Sequence, residues 1–218
     1  MIRDQYTTHT GTSLFTSWEE VEQTVVSFVD LHISGFIPLY KAQGGPTSEN
    51  RITDLLSSYF NMHLSSYSPF FFVKNPTQQK GYRETDLGVC VKDLDMNPFL
   101  PIFEFEAKKL PASATHEYVY GERGGMERFK RELHSPHLPH CGMLGYVLDK
   151  EPNYWMGQIN NWITNLATQS PLNGIDWRGD DELLHPIGTT ITFSKCKSRN
   201  KRVTLPDIII IHYLIDLT

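Results

Sequence analysis

A chain of 218 residues with 39% hydrophobic and 21% charged positions, including 12 Phe, 10 Tyr and 4 Trp, has the material for one substantial core and is short for two, which excludes disorder and predicts a single domain. A net charge of −5 excludes a protein that holds nucleic acid by overall electrostatics alone. No apolar run is long enough to span a bilayer, residues 1–6 lack the layout of a signal peptide, and Cys90, Cys141 and Cys196 are odd in number and far apart, so a cytoplasmic protein with reduced thiols and no membrane partner is expected.

The first helix is predicted from Ser17, which forms a Ser-x-x-Glu capping box with Glu20, through Trp18, Val21, Val25, Phe28 and Val29 at helical spacing. A break containing Gly and Pro follows and ends at Gly44-Gly45-Pro46. Ser48 is positioned to cap a second helix with the stripe Ile52, Leu55, Leu56, Tyr59 and Phe60, and Glu49 projects from the stripe side of that helix. Strands are predicted over 70–73, 86–91 and 102–108, with a turn at Asn75-Pro76, in an order that suggests a meander. A helix opened by Gly124-Gly125 carries Met126, Phe129 and Leu133, a buried strand covers 143–148, and Trp155, Ile159, Trp162, Ile163 and Leu166 mark a further helix. Alternation over 190–194, a basic turn at Ser198-Arg199-Asn200 and the run 208–211 predict a terminal hairpin and a well-covered strand. The expected architecture is an α/β or α+β layered domain, with helices over a central sheet.

In an extended strand over 102–108, Glu104, Glu106 and Lys108 share one face, and Phe103, Phe105 and Ala107 the other. Carboxylates on an internal strand need a partner or a metal ion. Asp86, opening the preceding strand, is expected to bring its carboxylate close to Glu106. Two converging carboxylates suit a hard divalent cation such as Mg²⁺, which activates water and polarises phosphoryl oxygens. Lys108 is then suited to position the attacking water, and Glu49 to complete the ligand set.

Thr85-Asp86, followed after a strand and loop by Glu106-Ala107-Lys108, resembles the signature of the PD-(D/E)XK, or restriction-endonuclease-like, nuclease superfamily, with Glu49 matching the glutamate often found on the first core helix. The resemblance covers about residues 49 to 166, and Thr stands where the family pattern has Pro. It implies a core at about 46–168 with a mixed sheet flanked by helices, a hairpin extension at 186–218, Mg²⁺ or Mn²⁺ held by Asp86, Glu106, Glu49 and the Ala107 carbonyl, and Lys108 orienting water. The implied activity is an endonuclease acting on DNA, with RNA as an alternative substrate and restriction, phage defence or repair as settings. A homodimer or companion protein is expected for duplex cutting. The alternative from another class is a nucleic-acid-binding or assembly subunit that does not cut.

Other features are weaker. The Gly124-Gly125 opening, with Arg123, Arg128 and Lys109 beside it, is a candidate phosphate contact, although the loop lacks the Gly-Lys-Ser/Thr ending of a nucleotide cradle. Lys195, Lys197, Arg199, Lys201 and Arg202 form either a basic track or a solvated face. His134, His137, His140 and Cys141 are zinc-binding types, but two prolines and irregular spacing fit an ordinary loop. His212, alone in an apolar strand, reads as a core residue.

Overall fold

A computed structural model describes residues 15, 17–76, 84–92, 100–121 and 123–218, so the reading of residues 1–6 lies outside the described residues. Helix α1 (Trp18–Ala42) opens on the expected cap, with the Ser17 hydroxyl accepting from the Glu20 N–H at 3.2 Å. It does not stop before Gly35 and Pro38. The buried stripe Val21, Val25, Val29, Ile33 continues through Phe36 and Tyr40. Proline in a helix costs about 3 kcal/mol, and burial of two ring side chains at about 2 kcal/mol each offsets it. Helix α2 (Glu49–His63) buries Ile52, Leu56 and Phe60, while Ser48 stands at its N-cap without a side-chain hydrogen bond to the helix.

Strands β1 (Phe70–Lys74), β2 (Leu87–Val91) and β3 (Phe103–Leu110) form the expected antiparallel meander. After a 3₁₀ turn at His116–Tyr118 comes α3 (Gly125–Lys130), which ends before Leu133 because Glu132 takes a positive φ of 61°. Strand β4 (His140–Val147) follows, then α4 (Pro152–Ala167), the short α5 (Gly179–Glu182), and strands β5 (His185–Thr189), β6 (Phe193–Asn200) and β7 (Ile208–Asp216). The seven strands form one mixed sheet in the order β1-β2-β3-β4-β7-β6-β5. Strand β4 lies parallel to both neighbours, β3 and β7, and the remaining pairs are antiparallel.

The terminal hairpin is therefore part of the sheet rather than an appendage, because β7 pairs directly with β4. Ser198-Arg199-Asn200, expected as a turn, lies within β6, paired to Ile210, Ile209 and Ile208. Of the 190–194 segment, Ile191 is exposed in the bend between β5 and β6. At the outer edge, Phe72 of β1 exchanges backbone bonds with the Asn61 side chain of α2, at 2.9 and 3.0 Å. At the other edge, β5 is exposed at every position, contains Pro186 and carries an irregularity between Pro186 and Gly188.

Two apolar clusters lie on opposite faces of the sheet. One joins α1 and α2 to Phe103, Phe105, Ala107, Leu144 and Tyr146, and the other joins α3 and α4 to Cys141, Met143, Val147 and Leu214. The period-two alternation of β3 and β4 thus serves both layers. The three cysteines are buried and free, and His212 is the core histidine expected, bonded to the hydroxyls of Tyr118 and Ser198. Among the described residues no helix is long and apolar enough to cross a membrane.

Candidate active site

The antiparallel register of β2 and β3 sets Leu87 against Phe105 and Gly88 against Glu104, so one residue further Asp86 stands opposite Glu106. Apolar Phe103, Phe105 and Ala107 turn to the α1–α2 layer, which forces Glu104, Glu106 and Lys108 to the other face. Both glutamates are almost wholly buried, at 0% and 1% exposure, and each has compensation. Glu104 accepts from the Ser135 hydroxyl. Glu106 Oε1 accepts from Lys108 Nζ at 2.7 Å and from an Arg128 guanidinium nitrogen at 2.8 Å, and His134 Nε2 stands 3.7 Å from the other oxygen.

Asp86 Oδ2 accepts the Ala107 N–H at 2.7 Å, which fixes the carboxylate against β3. The Ala107 carbonyl in turn accepts from Lys108 Nζ at 3.0 Å. Glu49 reaches the cluster from the first turn of α2, with Oε2 accepting the Lys109 N–H at 2.8 Å and Oε1 3.8 Å from Lys108 Nζ. That turn is anchored by the Thr53 hydroxyl, which bonds the Glu49 carbonyl and the Tyr146 hydroxyl. Lys108 is the hub: its ammonium faces oxygens of Glu106, Ala107 and Glu49 together.

Charge within this buried cluster is not balanced evenly. Burial, with the neighbouring Glu106 charge adding to it, pushes the Asp86 carboxyl up to about 6. Burial also raises the Glu49 carboxyl, against the opposing pull of Lys108. For Lys108, burial acts to lower the ammonium, but Glu106, Glu49 and Asp86 outweigh it and the net shift is upward. A Lys108 that keeps its proton is an electrostatic and hydrogen-bonding group rather than a general base.

The structure therefore brings together Asp86, Glu106, Lys108 and Glu49, with the Ala107 carbonyl among them. The surrounding expectations fare differently. Arg128 engages Glu106 instead of lying open beside Gly124-Gly125, while Arg123 and Lys109 are exposed and enter none of the ion pairs formed among the described residues. The two glycines answer a packing demand: a Cβ on Gly124 would come within 2.4 Å of the Tyr120 backbone, and one on Gly125 within 2.5 Å of the Met143 methyl. Gly124 also gives its N–H to the Gly121 carbonyl, so that amide is not free for a phosphate.

The histidine-rich loop does not converge on a point. His134 faces Glu106, His137 the Pro101 carbonyl, His140 the Glu22 carboxylate, and the Cys141 thiol is buried. Among the described residues no group of three or more His, Cys, Asp or Glu is already gathered as for a metal ion: Glu106 is turned to Lys108 and Arg128, Asp86 to the Ala107 N–H and Glu49 to the Lys109 N–H. Nor do the C-terminal cations form a free track: Lys195 pairs with Asp30, Lys197 with Glu22 and Lys201 with Asp176, and Arg202 bonds backbone carbonyls of 135, 136, 138 and 206. His134 stands out in the sequence only as part of the zinc-type run; its place beside Glu106 and the Thr53–Tyr146 anchor have no signal there, since no spacing links them to Glu106 or Glu49.

Comparison with known proteins adds no relative: no family model, no curated protein and no solved structure matches the chain.

Proposed function

We propose that the chain is a metal-dependent phosphodiesterase of the nuclease type, centred on Asp86, Glu106, Lys108 and Glu49. The observation that carries this reading is the convergence of three oxygen donors on one cationic group: Glu106 Oε1 at 2.7 Å, Ala107 O at 3.0 Å and Glu49 Oε1 at 3.8 Å around Lys108 Nζ, with Asp86 beside Glu106. Carboxylate and carbonyl oxygens are the donors that Mg²⁺ or Mn²⁺ takes, and a carboxyl pushed up by burial and by its neighbour's charge, as Asp86 is, is relieved by a cation. The residues fit such an ion, with Asp86, Glu106, Glu49 and the Ala107 carbonyl as its holders. When bound it lowers the pKa of a coordinated water and polarises a phosphoryl oxygen.

The chain's own groups supply the rest. Lys108 keeps a positive charge beside the carboxylates and donates to oxygen, which suits it to orient water and offset charge on a phosphate. Lys109, exposed and bonded through its N–H to Glu49, and Arg123, exposed on the turn that leads into α3, are the side chains proposed to meet the strand backbone. The order helix, three strands, helix, strand, helix from α2 to α4 is the order the restriction-endonuclease-like resemblance implies, and it supports that family assignment as a proposal. DNA is the proposed substrate, with RNA the alternative, and action in restriction, phage defence or repair belongs to the same proposal.

A second reading has one observation in its favour. Arg128 occupies the same Glu106 oxygen as Lys108, so the carboxylate is already neutralised without a metal, as in a binding or assembly subunit that no longer cuts. One assay separates the two. Labelled duplex DNA, single-stranded DNA and RNA are incubated with purified protein in Mg²⁺, Mn²⁺ or EDTA, beside Lys108→Ala and Asp86→Asn. Metal-dependent cutting lost by about 100-fold or more in both variants is expected. Binding without cutting, or cutting insensitive to both substitutions, overturns the enzymatic reading.

A further inference from the structure

Away from the carboxylates, the 3₁₀ turn after β3 and the C-terminal half of α4 enclose a cleft of about 310 Å³. That volume lies at the low end of small-molecule sites, about 300–1,000 Å³, and suits one flat ring system better than a chain of them. Its walls are unusual in kind. His116 and Tyr120 stack with ring centroids 4.0 Å apart and planes 20° from parallel, α4 contributes Trp162, and Asn165 and Gln169 add two amides. No Asp, Glu, Lys or Arg lines it among the described residues.

Among the described residues, the ring nitrogens of His116, the Tyr120 hydroxyl, the Trp162 indole N–H and the amides of Asn165 and Gln169 make no hydrogen bond to another residue. Elsewhere on α4 the polar groups are engaged: the buried Trp155 indole donates to the Asp149 carbonyl, and the half-buried Asn160 bonds the Leu184 backbone in both directions. Aromatic faces together with amides that both donate and accept fit a ligand that is planar, uncharged and polar at its rim. A nucleobase has that chemistry, and a phosphate or carboxylate does not.

The cleft is also joined to the carboxylate centre by one short stretch of chain. Tyr120 precedes Gly121, whose N–H bonds the Glu127 carboxylate at 2.9 Å, and the next residue, Arg128, bonds Glu106 at 2.8 Å. A group held at Tyr120 is therefore attached, through α3, to the residues proposed for catalysis.

We propose that this cleft receives an unpaired nucleobase, held between the stacked His116–Tyr120 pair and Trp162 and read at its edge by Asn165 and Gln169, so that the strand bound is single. The assignment of a nucleic acid as ligand rests on the nuclease reading. A base inside a duplex has both faces covered and cannot enter, whereas any base of a single strand can stack.

The test is binding of short fluorescein-labelled single strands of DNA and RNA, their duplexes and a labelled oligosaccharide to the full chain in EDTA, read by anisotropy. Tyr120→Ala and Trp162→Ala are expected to weaken single-strand binding by about 5- to 100-fold. The paired substitution Asn165→Ala with Gln169→Ala removes only exposed side chains, so its fold is safe, and it is expected to change the preference among homopolymers. Circular dichroism verifies each variant. Single-strand affinity unchanged in all three variants, a duplex or the oligosaccharide bound as tightly, or no strand bound at all overturns the proposal. Because EDTA removes cleavage from the readout, the two readings fail separately: Trp162-sensitive binding without Mg²⁺-dependent cutting sinks the nuclease and keeps the cleft, and cutting with cleft-insensitive binding does the reverse.

Discussion

Replacing Asp86 with Asn is expected to stabilise the metal-free protein at neutral pH. The Asp86 carboxyl is pushed from its usual 3.8 up to about 6, first by burial and then by the charge of Glu106. At about 1.4 kcal/mol per pH unit, that shift corresponds to about 3 kcal/mol held against the folded state once the carboxyl ionises. Sign follows from proton binding: between pH 3.8 and 6 the folded protein retains a proton that the unfolded chain has released, so this group lowers stability as pH rises. Its effect is absent below pH 3.8 and complete above about 6. An Asn keeps an oxygen to accept the Ala107 N–H and carries no charge toward Glu106. Thermal melts of both proteins from pH 4 to 8 should nearly coincide at the acid end and separate above pH 6, with the variant higher by about 4–12 °C for about 2–3 kcal/mol in a chain of this size. Mg²⁺ at about 100 times its Kd should raise the wild-type stability by about 2.7 kcal/mol and the variant's far less. A variant less stable than wild type at pH 7, or a difference that does not change with pH, would refute the electrostatic account of this cluster.

Two further outcomes are expected. Arg128→Gln removes a charged donor from the buried Glu106 carboxylate and should cost about 1.5–3 kcal/mol in urea denaturation, part of which added Mg²⁺ restores. Lys130→Met leaves Glu182 without its buried ammonium partner and should cost about 3–5 kcal/mol while leaving any cleavage per folded molecule unchanged, since the pair joins α3 to α5 away from Glu106.

Local rules carried the parts of the molecule where burial follows one period. The Ser17–Glu20 cap and the alternation of β3, which separates Phe105 from Glu106, both follow from side-chain direction and hold in the fold. Pairing Asp86 with Glu106 needed only the further assumption that consecutive strands are neighbours. Other features depend on distant chain. Pro38 stays helical because Phe36 and Tyr40 have a core to enter, which no local signal reports. Strand β5 has no apolar alternation because all its positions are exposed, so it gave no strand pattern. Arg128 read as a surface cation because its partner lies 22 positions earlier on another element. The glycines at 124 and 125 looked like a loop for phosphate, and only the neighbouring Tyr120 backbone and Met143 methyl explain why no side chain fits.

The two rims of the sheet bear on how copies of this chain can meet. A rim with open amides and carbonyls invites another strand to extend the ladder. Here Asn61 occupies the outward amide and carbonyl of Phe72, and Pro186 brings no amide at all to the opposite rim, where the irregularity before Gly188 further spoils the spacing. Each boundary is interrupted, at Phe72 and at Pro186, as a template for continuing the sheet across a two-fold axis. A dimer that brought two carboxylate centres to opposite strands of a duplex is better served by joining through helices or loops than by extending the ladder.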